Sequence, residues 1–267
     1  MKIIKEHFTS IRQMLSVIES RPNNKVMKGR KESSEGTLSF TGTRSYQEAL
    51  DLFQNGYTDV LDQIKTGVDA NVRKTQVVNR RQIRTNVVGY APHVPNAILG
   101  LPNSMIMTEQ RPQKIKAVSI VAGITENCGT PAEEFVKSGI AVLSLVNTLE
   151  LRGFRVSLKL SFYNAQCGEE LTWATIGLKD YREHLDIQKL CFPLANPSMF
   201  RRFGFKWIET CPNLHERDWA HGYGSSRSDY NSANQFLEEN EYYIGLSLTK
   251  KCKYDVDKII SMLRIGQ

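Results

Sequence analysis

The chain has 267 residues, 40% of them apolar, and a formal net charge of +7 from 35 Lys and Arg against 28 Asp and Glu. This composition excludes a wholly disordered chain and suffices for one large domain, or for a core domain with an extension. No stretch approaches the ~20 apolar residues of a membrane-spanning helix, and the first residues lack the features of a secretory signal. We therefore expect an intracellular protein without a membrane partner.

The positive charge is concentrated in the first part of the sequence. Residues 1–116 hold 18 basic and 10 acidic side chains, whereas residues 117–267 hold 17 and 18. Such asymmetry indicates a surface for phosphate groups or for an acidic partner, although a solvated basic face would give the same pattern. The candidates for contacting DNA or RNA form the densest basic run: Arg73, Lys74, Arg80, Arg81 and Arg84.

Helices are predicted for much of the first part of the chain. Apolar residues recur at steps of three or four over 1–20, which predicts an amphipathic helix. The polar stretch 21–36 is typical of a loop. Ser45 and Glu48 match a capping box at the start of a helix that would end before Gly56.

The next stretch is harder to interpret. Residues 57–74 predict a further helix, and residues 87–90 predict a short strand. Pro92, Pro95 and the prolines that follow them exclude long regular elements, because proline removes a backbone donor and restricts the residue before it.

Strands and helices alternate clearly from residue 114 onward. The apolar run 116–122 predicts a strand buried on both faces. A helix should follow, with Thr130 as its N-cap, Pro131 at its first position and Glu133 in its first turn. Alternating apolar residues over 155–162 predict a second strand, parallel to the first.

Only seven residues separate that second strand from the next expected strand, 170–178. A parallel crossover needs about a dozen residues or more, so the sequence predicts an antiparallel hairpin. The remaining expected elements are helices over 187–194, after Ser198 and over 254–263, strands over 205–208 and 242–248, and a polar loop over 211–235.

Together these elements predict an α/β fold. Residues 114–267 should form a doubly wound, mostly parallel sheet with one antiparallel edge strand. Residues 1–113 should precede it as a basic extension that is mainly helical and rich in loops.

The order of elements in residues 115–267 resembles that of von Willebrand factor A-type domains, with a buried first strand, a polar turn, a long helix and an antiparallel edge hairpin. In that family the turn carries Asp-x-Ser-x-Ser and holds a divalent cation. The matching residues here are Gly123, Thr125 and Asn127, so glycine replaces the anchoring carboxylate that a hard cation needs. The resemblance therefore implies a turn without tight Mg²⁺ binding, and we expect no metal and no cofactor.

Several stretches resemble an uncharacterised protein family encoded by tailed bacteriophages. The resemblance implies a phage protein in the cytoplasm of the infected bacterial host, and it brings no established activity. The matching stretches are 39–45, 48–50, 89–92, 100–105 and 197–205.

Ligands of doubly wound sheets bind beyond the carboxyl ends of the strands. This rule places a candidate binding crevice at the turn after strand 116–122. Its rim would consist of Gly123, Thr125, Asn127 and Thr130, and the adjoining helix N-terminus would favour an anion there.

Cys211, His215 and His221 are candidate zinc ligands, with Asp218 or Cys252 as a fourth. The two histidines do not form His-Glu-x-x-His, because they lie six residues apart. Ordinary histidines on a polar loop would give the same pattern.

No catalytic signature accompanies these candidates, such as a Gly-x-Ser-x-Gly nucleophile elbow. The first hypothesis is therefore a non-enzymatic binding or adaptor protein that contacts a protein partner through the crevice rim. The alternatives are a DNA- or RNA-binding protein that uses the basic first part, and a metal-dependent hydrolase that uses the cluster around Cys211.

Overall fold

The computed structural model describes residues 2–27, 30–72, 82–109, 116–166, 170–214, 222–227 and 230–265. Contacts divide the chain into a main unit, residues 1–75 and 116–267, and a small unit, residues 76–115. This division differs from the boundary expected after residue 113, because side chains of the first 75 residues share one hydrophobic core with the C-terminal part.

Strands and short or long helices alternate along the described chain. The strands are β1 (Lys2–Phe8), β2 (Gln82–Asn86), β3 (Ala91–Pro92), β4 (Met105–Glu109), β5 (Ala117–Gly123), β6 (Arg155–Gln166), β7 (Glu170–Lys179), β8 (Ser225–Ser226) and β9 (Glu241–Gly245). The α-helices are α1 (Ile11–Ser20), α2 (Glu32–Glu35), α3 (Leu38–Thr41), α4 (Tyr46–Asn55), α5 (Leu61–Val72), α6 (Val94–Ile98), α7 (Ala132–Leu151), α8 (Ile187–Ala195), α9 (Phe205–Thr210), α10 (Tyr230–Ala233), α11 (Leu246–Lys251) and α12 (Val256–Leu263). A π-helix spans Met199–Gly204, and a 3₁₀-helix spans Asn234–Phe236.

The main unit is built on a mixed, mostly parallel sheet with the strand order β1-β7-β6-β5-β9, and β8 pairs with β6. β5 has parallel neighbours on both sides, β6 and β9. β6 and β7 are antiparallel, with Phe162 opposite Ala174. The predictions of a central buried strand and of an antiparallel hairpin after it are therefore confirmed.

The two faces of this sheet are covered differently. Leu158, Leu160 and Phe162 point to one face and are fully buried in a core to which the longer helices α1, α5, α7 and α8 contribute. On the other face, Tyr163 and Trp173 join a separate aromatic cluster with side chains of residues 233–237. A doubly wound sheet carries helices on both faces, whereas the second face here is covered, within the described chain, by this short segment.

The N-terminal residues form a strand, so the helix expected over 1–20 is wrong in its first half. β1 pairs in parallel with β7, from Lys2 opposite Glu170 onward. The helix α1 begins after Ser10, whose hydroxyl accepts a hydrogen bond from the N–H of Gln13. The spacing of apolar residues over 1–20 does not distinguish a strand from a helix at residues 2–8. The pairing of these residues with β7 decides between the two. β7 is consequently an inner strand, and the expectation of a single antiparallel strand at the edge is corrected: β1, β7 and the short β8 run opposite to β5, β6 and β9.

Other corrections concern element boundaries and type. Residues 205–208 are helical and not a strand, because they continue directly from the π-helix. β9 ends at Gly245, after which the chain turns into α11. The long helix α7 has Pro131 as its N-cap, one residue later than expected. The Ser45 cap of α4 is confirmed, because its side chain accepts a hydrogen bond from the N–H of Glu48.

The small unit is a three-stranded antiparallel sheet in the order β2-β4-β3, with α6 between β3 and β4. The expected strand over 87–90 lies instead at β2, and residues 87–90 turn towards β3. This turn requires Gly89, because a Cβ there would overlap the carbonyl group of Ile106. No described side chain of residues 84–107 is buried.

Candidate functional site

The turn after β5, which was expected to form a crevice rim, is filled and internally bonded. Thr125 is fully buried, and its hydroxyl accepts a 2.9 Å hydrogen bond from the N–H of Tyr163. Gly123 packs against Tyr243 so closely that a Cβ at residue 123 would overlap the phenol oxygen. The aromatic ring therefore occupies the space in which an aspartate side chain at residue 123 would lie.

Arg201 bonds the main chain of the other two rim residues, Asn127 and Thr130. Its Nη2 donates to the carbonyl oxygens of Asn127 and Thr130, at 2.8 and 3.2 Å. The Asn127 side chain accepts a hydrogen bond from the N–H of Gly129, which closes the turn on the solvent side. The structure thus brings the four predicted rim residues together, but most of their oxygen atoms already have protein donors.

Arg201 and Arg202 come from the π-helix and are both buried. Arg202 donates to the carbonyl oxygens of Ser33, Gly36 and Thr43, at 3.1, 3.0 and 2.7 Å. One buried guanidinium therefore fixes the otherwise polar segment 33–43 on the main unit, since a buried charge is tolerated only when it is hydrogen-bonded.

Arg201 is surrounded by aromatic rings as well as by carbonyl groups. Its guanidinium lies 4.5 Å from the centroid of Phe40 and 5.2 Å from that of Phe135. Burial lowers the pKa of Arg201, whereas the nearby Cys128 and Glu126 act in the opposite direction. Sequence reasoning missed this arrangement, because an Arg-Arg pair is usually exposed, whereas the π-helix here directs both arginines inward.

A cavity of about 870 Å³ lies at the opposite end of the main sheet, where β1 and β7 end. Its walls come from the start of α1, the end of α4, the loop after β7, α8 and the segment before β9. Lys159 forms a 2.6 Å ion pair with Glu241 there, and Lys179 forms a 2.7 Å ion pair with Glu150. These two lysines are therefore neutralised by the protein itself. The lining also holds Arg12, Lys189 and several carboxylates, so it has no single sign of charge that would select a ligand.

Of the candidate zinc ligands, the structure describes only Cys211 and Cys252. Cys211 is buried, and burial raises the pKa of its thiol to about 12, which disfavours the thiolate that a metal requires. Cys252 lies elsewhere, with its Sγ 4.0 Å from Sδ of Met262. His215, Asp218 and His221 lie outside the described residues, and within the described chain no three His, Cys, Asp or Glu side chains are placed to hold a metal.

The basic run is also only partly described. Arg73, Lys74, Arg80 and Arg81 lie outside the described residues, whereas Arg84 is exposed on β2 of the small unit. The sequence prediction for these five residues therefore stays a prediction.

Exposed apolar side chains are concentrated in the small unit, a feature that the sequence analysis missed. Val88, Ile98 and Leu99 are 74%, 80% and 71% exposed. We call the whole set the apolar surface: Val87, Val88, Tyr90, Val94, Ile98, Leu99, Leu101 and Met107. The available signal was the run of apolar residues among prolines, where no long helix or strand could bury them.

Among the described residues, no helix combines the length and the apolar character needed to cross a membrane.

Comparison with known proteins gives one match. The family model described as "Domain of unknown function (DUF7192)" matches residues 1–265. Neither a curated protein nor a solved structure matches the chain.

Proposed function

The chain belongs to this family of unknown function, and from its own geometry we propose that the protein is a non-enzymatic binding or adaptor protein that acts through protein–protein contacts. The observation that carries the proposal is the apolar surface of the small unit. Monomeric proteins rarely expose contiguous apolar patches of more than a few hundred Å², and larger ones mark interaction sites. The proposal moves the contact from the crevice rim to this surface, because most of the rim oxygens already have donors within the protein.

The proposal also includes the origin of the protein, its location in the cell and its likeness to a known fold. A phage-encoded protein in the cytoplasm of an infected bacterium would fit the resemblance of stretches such as 39–45 and 197–205. A likeness to von Willebrand factor A-type domains is supported by β5, the polar turn after it, α7 and the antiparallel pair of β6 and β7. Gly123 and its contact with Tyr243 support a turn that does not bind a cation in this chain.

Affinity purification of the full chain from phage-infected cells, with and without nuclease, tests the proposal. The test compares wild type with the double variant Ile98→Ser/Leu99→Ser, and Leu38→Ser serves as a control because Leu38 is half-exposed in the main unit. We expect a specific protein to be recovered with wild type and with Leu38→Ser, after nuclease treatment, and to be lost with the double variant. Recovery that is equal in all three chains would contradict the proposal.

The charge of the first part of the sequence favours a second candidate function, binding of DNA or RNA. Lysine and arginine would neutralise phosphates and release counterions, so log affinity should fall with log salt with a slope of about −0.9 per contact on duplex DNA. Replacing Arg80 and Arg81 with Ala should weaken binding to all sequences and reduce the slope by about two. A wild-type protein that shifts neither DNA nor RNA at low salt would end this candidate.

A further inference from the structure

We propose that β1 binds an acidic, extended segment of a partner protein as an added strand at the outer edge of the main sheet. The segment carries acidic, apolar, apolar and acidic side chains in that order, opposite residues 2–5. The inference goes beyond the proposed function, because it concerns an edge of the main unit and not the apolar surface of the small unit. Three features carry it: the outer edge of β1, the charge of its exposed side chains, and the hydrogen bonds that already occupy Glu6.

β1 is the last strand on one side of the main sheet, where it pairs with β7. Within the described chain, the backbone of Lys2–Phe8 makes no hydrogen bond beyond this pairing. The edge of a sheet presents a row of N–H and C=O groups, and an added strand pairs with them along its length. Neither a nucleic acid nor a lipid can continue such a ladder, so this edge favours a polypeptide.

The exposed side chains of β1 are basic or apolar. Lys5 and His7 are exposed, as is Ile3 at 39%. The Nζ atom of Lys5 lies 4.9 Å from the centroid of the Phe236 ring, and no ion pair joins it to a carboxylate of the described chain. Lysine on a sheet edge discourages pairing with a like-charged strand, whereas it attracts an acidic one.

Lys2 adds a second basic group at the start of the strand. Its side chain is 51% exposed and lies 2.9 Å from the carboxylate of the buried Glu170, and it also donates to the carbonyl oxygen of Asn213. Because a lysine ammonium has three N–H donors, one of them remains for an acidic partner.

The acidic residue of β1, Glu6, is already bonded within the chain. Nη1 of Arg21 donates to its two carboxylate oxygens at 2.9 and 3.0 Å, and Nε1 of Trp207 donates to one of them at 2.9 Å. A second copy of this chain that paired β1 with β1 would bring its lysines to an edge whose carboxylate is occupied in each copy. The acidic side chains must therefore come from a different segment.

The order of residues along β1 defines the pattern of that segment. Lys2 and Lys5 enclose Ile3 and Ile4, and side chains alternate between the two faces of the sheet. The order basic, apolar, apolar, basic reads the same in both directions. An acidic, apolar, apolar, acidic segment therefore matches it whether the added strand is parallel or antiparallel to β1.

Labelled synthetic peptides test the proposal with the full chain. The first contains Glu-Val-Val-Glu between threonines, its isomer contains Val-Glu-Glu-Val in the same frame, and a neutral peptide contains Gln-Val-Val-Gln. Fluorescence anisotropy should show that the first peptide binds about fivefold or more tighter than the other two, and added salt should remove its advantage over the neutral peptide. An isomer that binds as tightly would overturn the proposal, because it has the same charge without the pattern. Failure of the first peptide to bind would overturn it as well.

Charge reversal on β1 assigns the contact to this edge. Lys5→Glu should weaken binding of the first peptide about tenfold or more, and a peptide with either Lys-Val-Val-Glu or Glu-Val-Val-Lys should recover the loss. The peptide that recovers it reveals the direction of the added strand. Lys65→Glu on α5 is the matched control, since Lys65 is also exposed, and it should bind like wild type. Equal weakening by the two variants, or no recovery with either peptide, would contradict the assignment.

Hydrogen–deuterium exchange locates the peptide independently. Saturation with the first peptide should slow the exchange of β1 amides, because the added strand bonds them. Methylation of alternate backbone nitrogens of the peptide should abolish binding for one alternate set and spare the other, since only one set of N–H groups faces β1. Protection that appears elsewhere while β1 is unchanged would refute the proposal.

The same measurements separate other occupants and the proposed function. A DNA duplex that binds tighter than the first peptide, and is lost in Lys5→Glu, would overturn the proposal in favour of phosphate groups. A wild-type dimer whose β1 amides are protected without peptide would show that a second copy covers the edge. Ile98→Ser/Leu99→Ser should bind the first peptide like wild type. Peptide binding that is lost in this double variant and kept in Lys5→Glu would sink the inference and leave the proposed function standing.

Discussion

The main unit and the small unit use apolar side chains in opposite ways. In the main unit, Leu160 on β6 is completely buried between helices and strands. In the small unit, Leu99, the residue that follows α6, is 71% exposed although its side chain is the same. The main unit can therefore be stabilised by its own core, whereas the small unit presents its apolar residues outward, as an interaction surface does.

The comparison also concerns charge. In the main unit, the buried Arg202 is surrounded by carbonyl groups, and the buried Lys179 is paired with Glu150. The sequence of the small unit and its flanks carries the whole net charge of the chain. Exposed apolar side chains within a basic stretch of sequence are typical of a segment that binds a partner. The following experiments test this contrast between the two units.

The largest expected effect is that of Arg202→Ala. The change would remove the arginine donor from the carbonyl oxygens of Ser33 and Gly36. Each buried acceptor left unsatisfied costs ~1–3 kcal/mol, so the total loss, with the packing of a fully buried side chain, should reach ~3–5 kcal/mol. Urea denaturation should show this loss of unfolding free energy. Arg152→Ala removes an exposed 2.7 Å pair with Asp257 and should cost at most ~1 kcal/mol. Equal losses for the two variants would mean that Arg202 is not the anchor of segment 33–43.

A matched pair of leucine substitutions measures the difference between the units directly. Leu160→Ala should lower the unfolding free energy by ~2–5 kcal/mol, because it removes a buried side chain and leaves a cavity. Leu99→Ala should change it by no more than ~0.5 kcal/mol, as is usual for exposed positions. Thermal or urea unfolding of both variants checks this, and a large loss for Leu99→Ala would show that the small unit buries this residue.

Gly123→Ala tests whether the turn after β5 is filled. The new Cβ would overlap the Tyr243 phenol, so the variant should lose ~1–3 kcal/mol through overpacking. Gly129→Ala is the control on the same turn, since a Cβ there would meet only the Asn127 side chain at an ordinary 3.7 Å. Combining Gly123→Ala with Tyr243→Ala should recover part of the first loss in a double-mutant cycle. Additive losses would indicate that the two residues do not touch.

The smallest expected effect is pH-dependent and concerns Glu134 at the start of α7. Its Oε2 accepts a 2.6 Å hydrogen bond from Tyr254 and lies 3.2 Å from Nζ of Lys250. These contacts lower the pKa of Glu134 to about 2, from 4.5. A lowered pKa stabilises the folded state above pH 4.5, and this contribution disappears as pH falls from 4.5 to about 2.

Glu134→Gln should therefore cost about 1 kcal/mol at pH 7 and progressively less below pH 4.5. Urea unfolding of wild type and variant across this range checks the pH dependence. Glu133→Gln is the neighbouring control, because Glu133 is exposed and its ion pair among the described residues is with Lys137. A difference between wild type and Glu134→Gln that stays constant from pH 7 to pH 2 would contradict the assigned contacts.

Local sequence rules were reliable where one local interaction decided the outcome. The Ser45 cap is correct because a hydroxyl and an N–H three residues later suffice to make it. The antiparallel pairing of β6 and β7 follows from the length of their connection alone. The rim residues Gly123, Thr125, Asn127 and Thr130 lie together because they belong to one short stretch of chain, and their role in binding stays a prediction.

Local rules failed where distant parts of the chain decided. β1 was expected to be helical because its pairing with β7, some 170 residues away, is invisible in its own spacing. Arg201 was missed because its partners, Phe40 and the turn at Asn127, lie far from it in sequence. The filling of the space beside Gly123 was missed for the same reason, because the residue that fills it, Tyr243, lies on the distant strand β9.

Sequence patterns alone were enough to establish the α/β class, the central strand β5 and the concentration of positive charge, because periodicity, connection length and composition are local or additive properties. The packing of distant segments was needed to establish that β1 completes the sheet, that Arg201 is buried under the turn after β5 and Arg202 against residues 33–43, and that the apolar residues of the small unit stay exposed. Burial is a property of what surrounds a side chain, and the surroundings of Arg202 or Leu99 are set by residues that the chain brings together only when it folds.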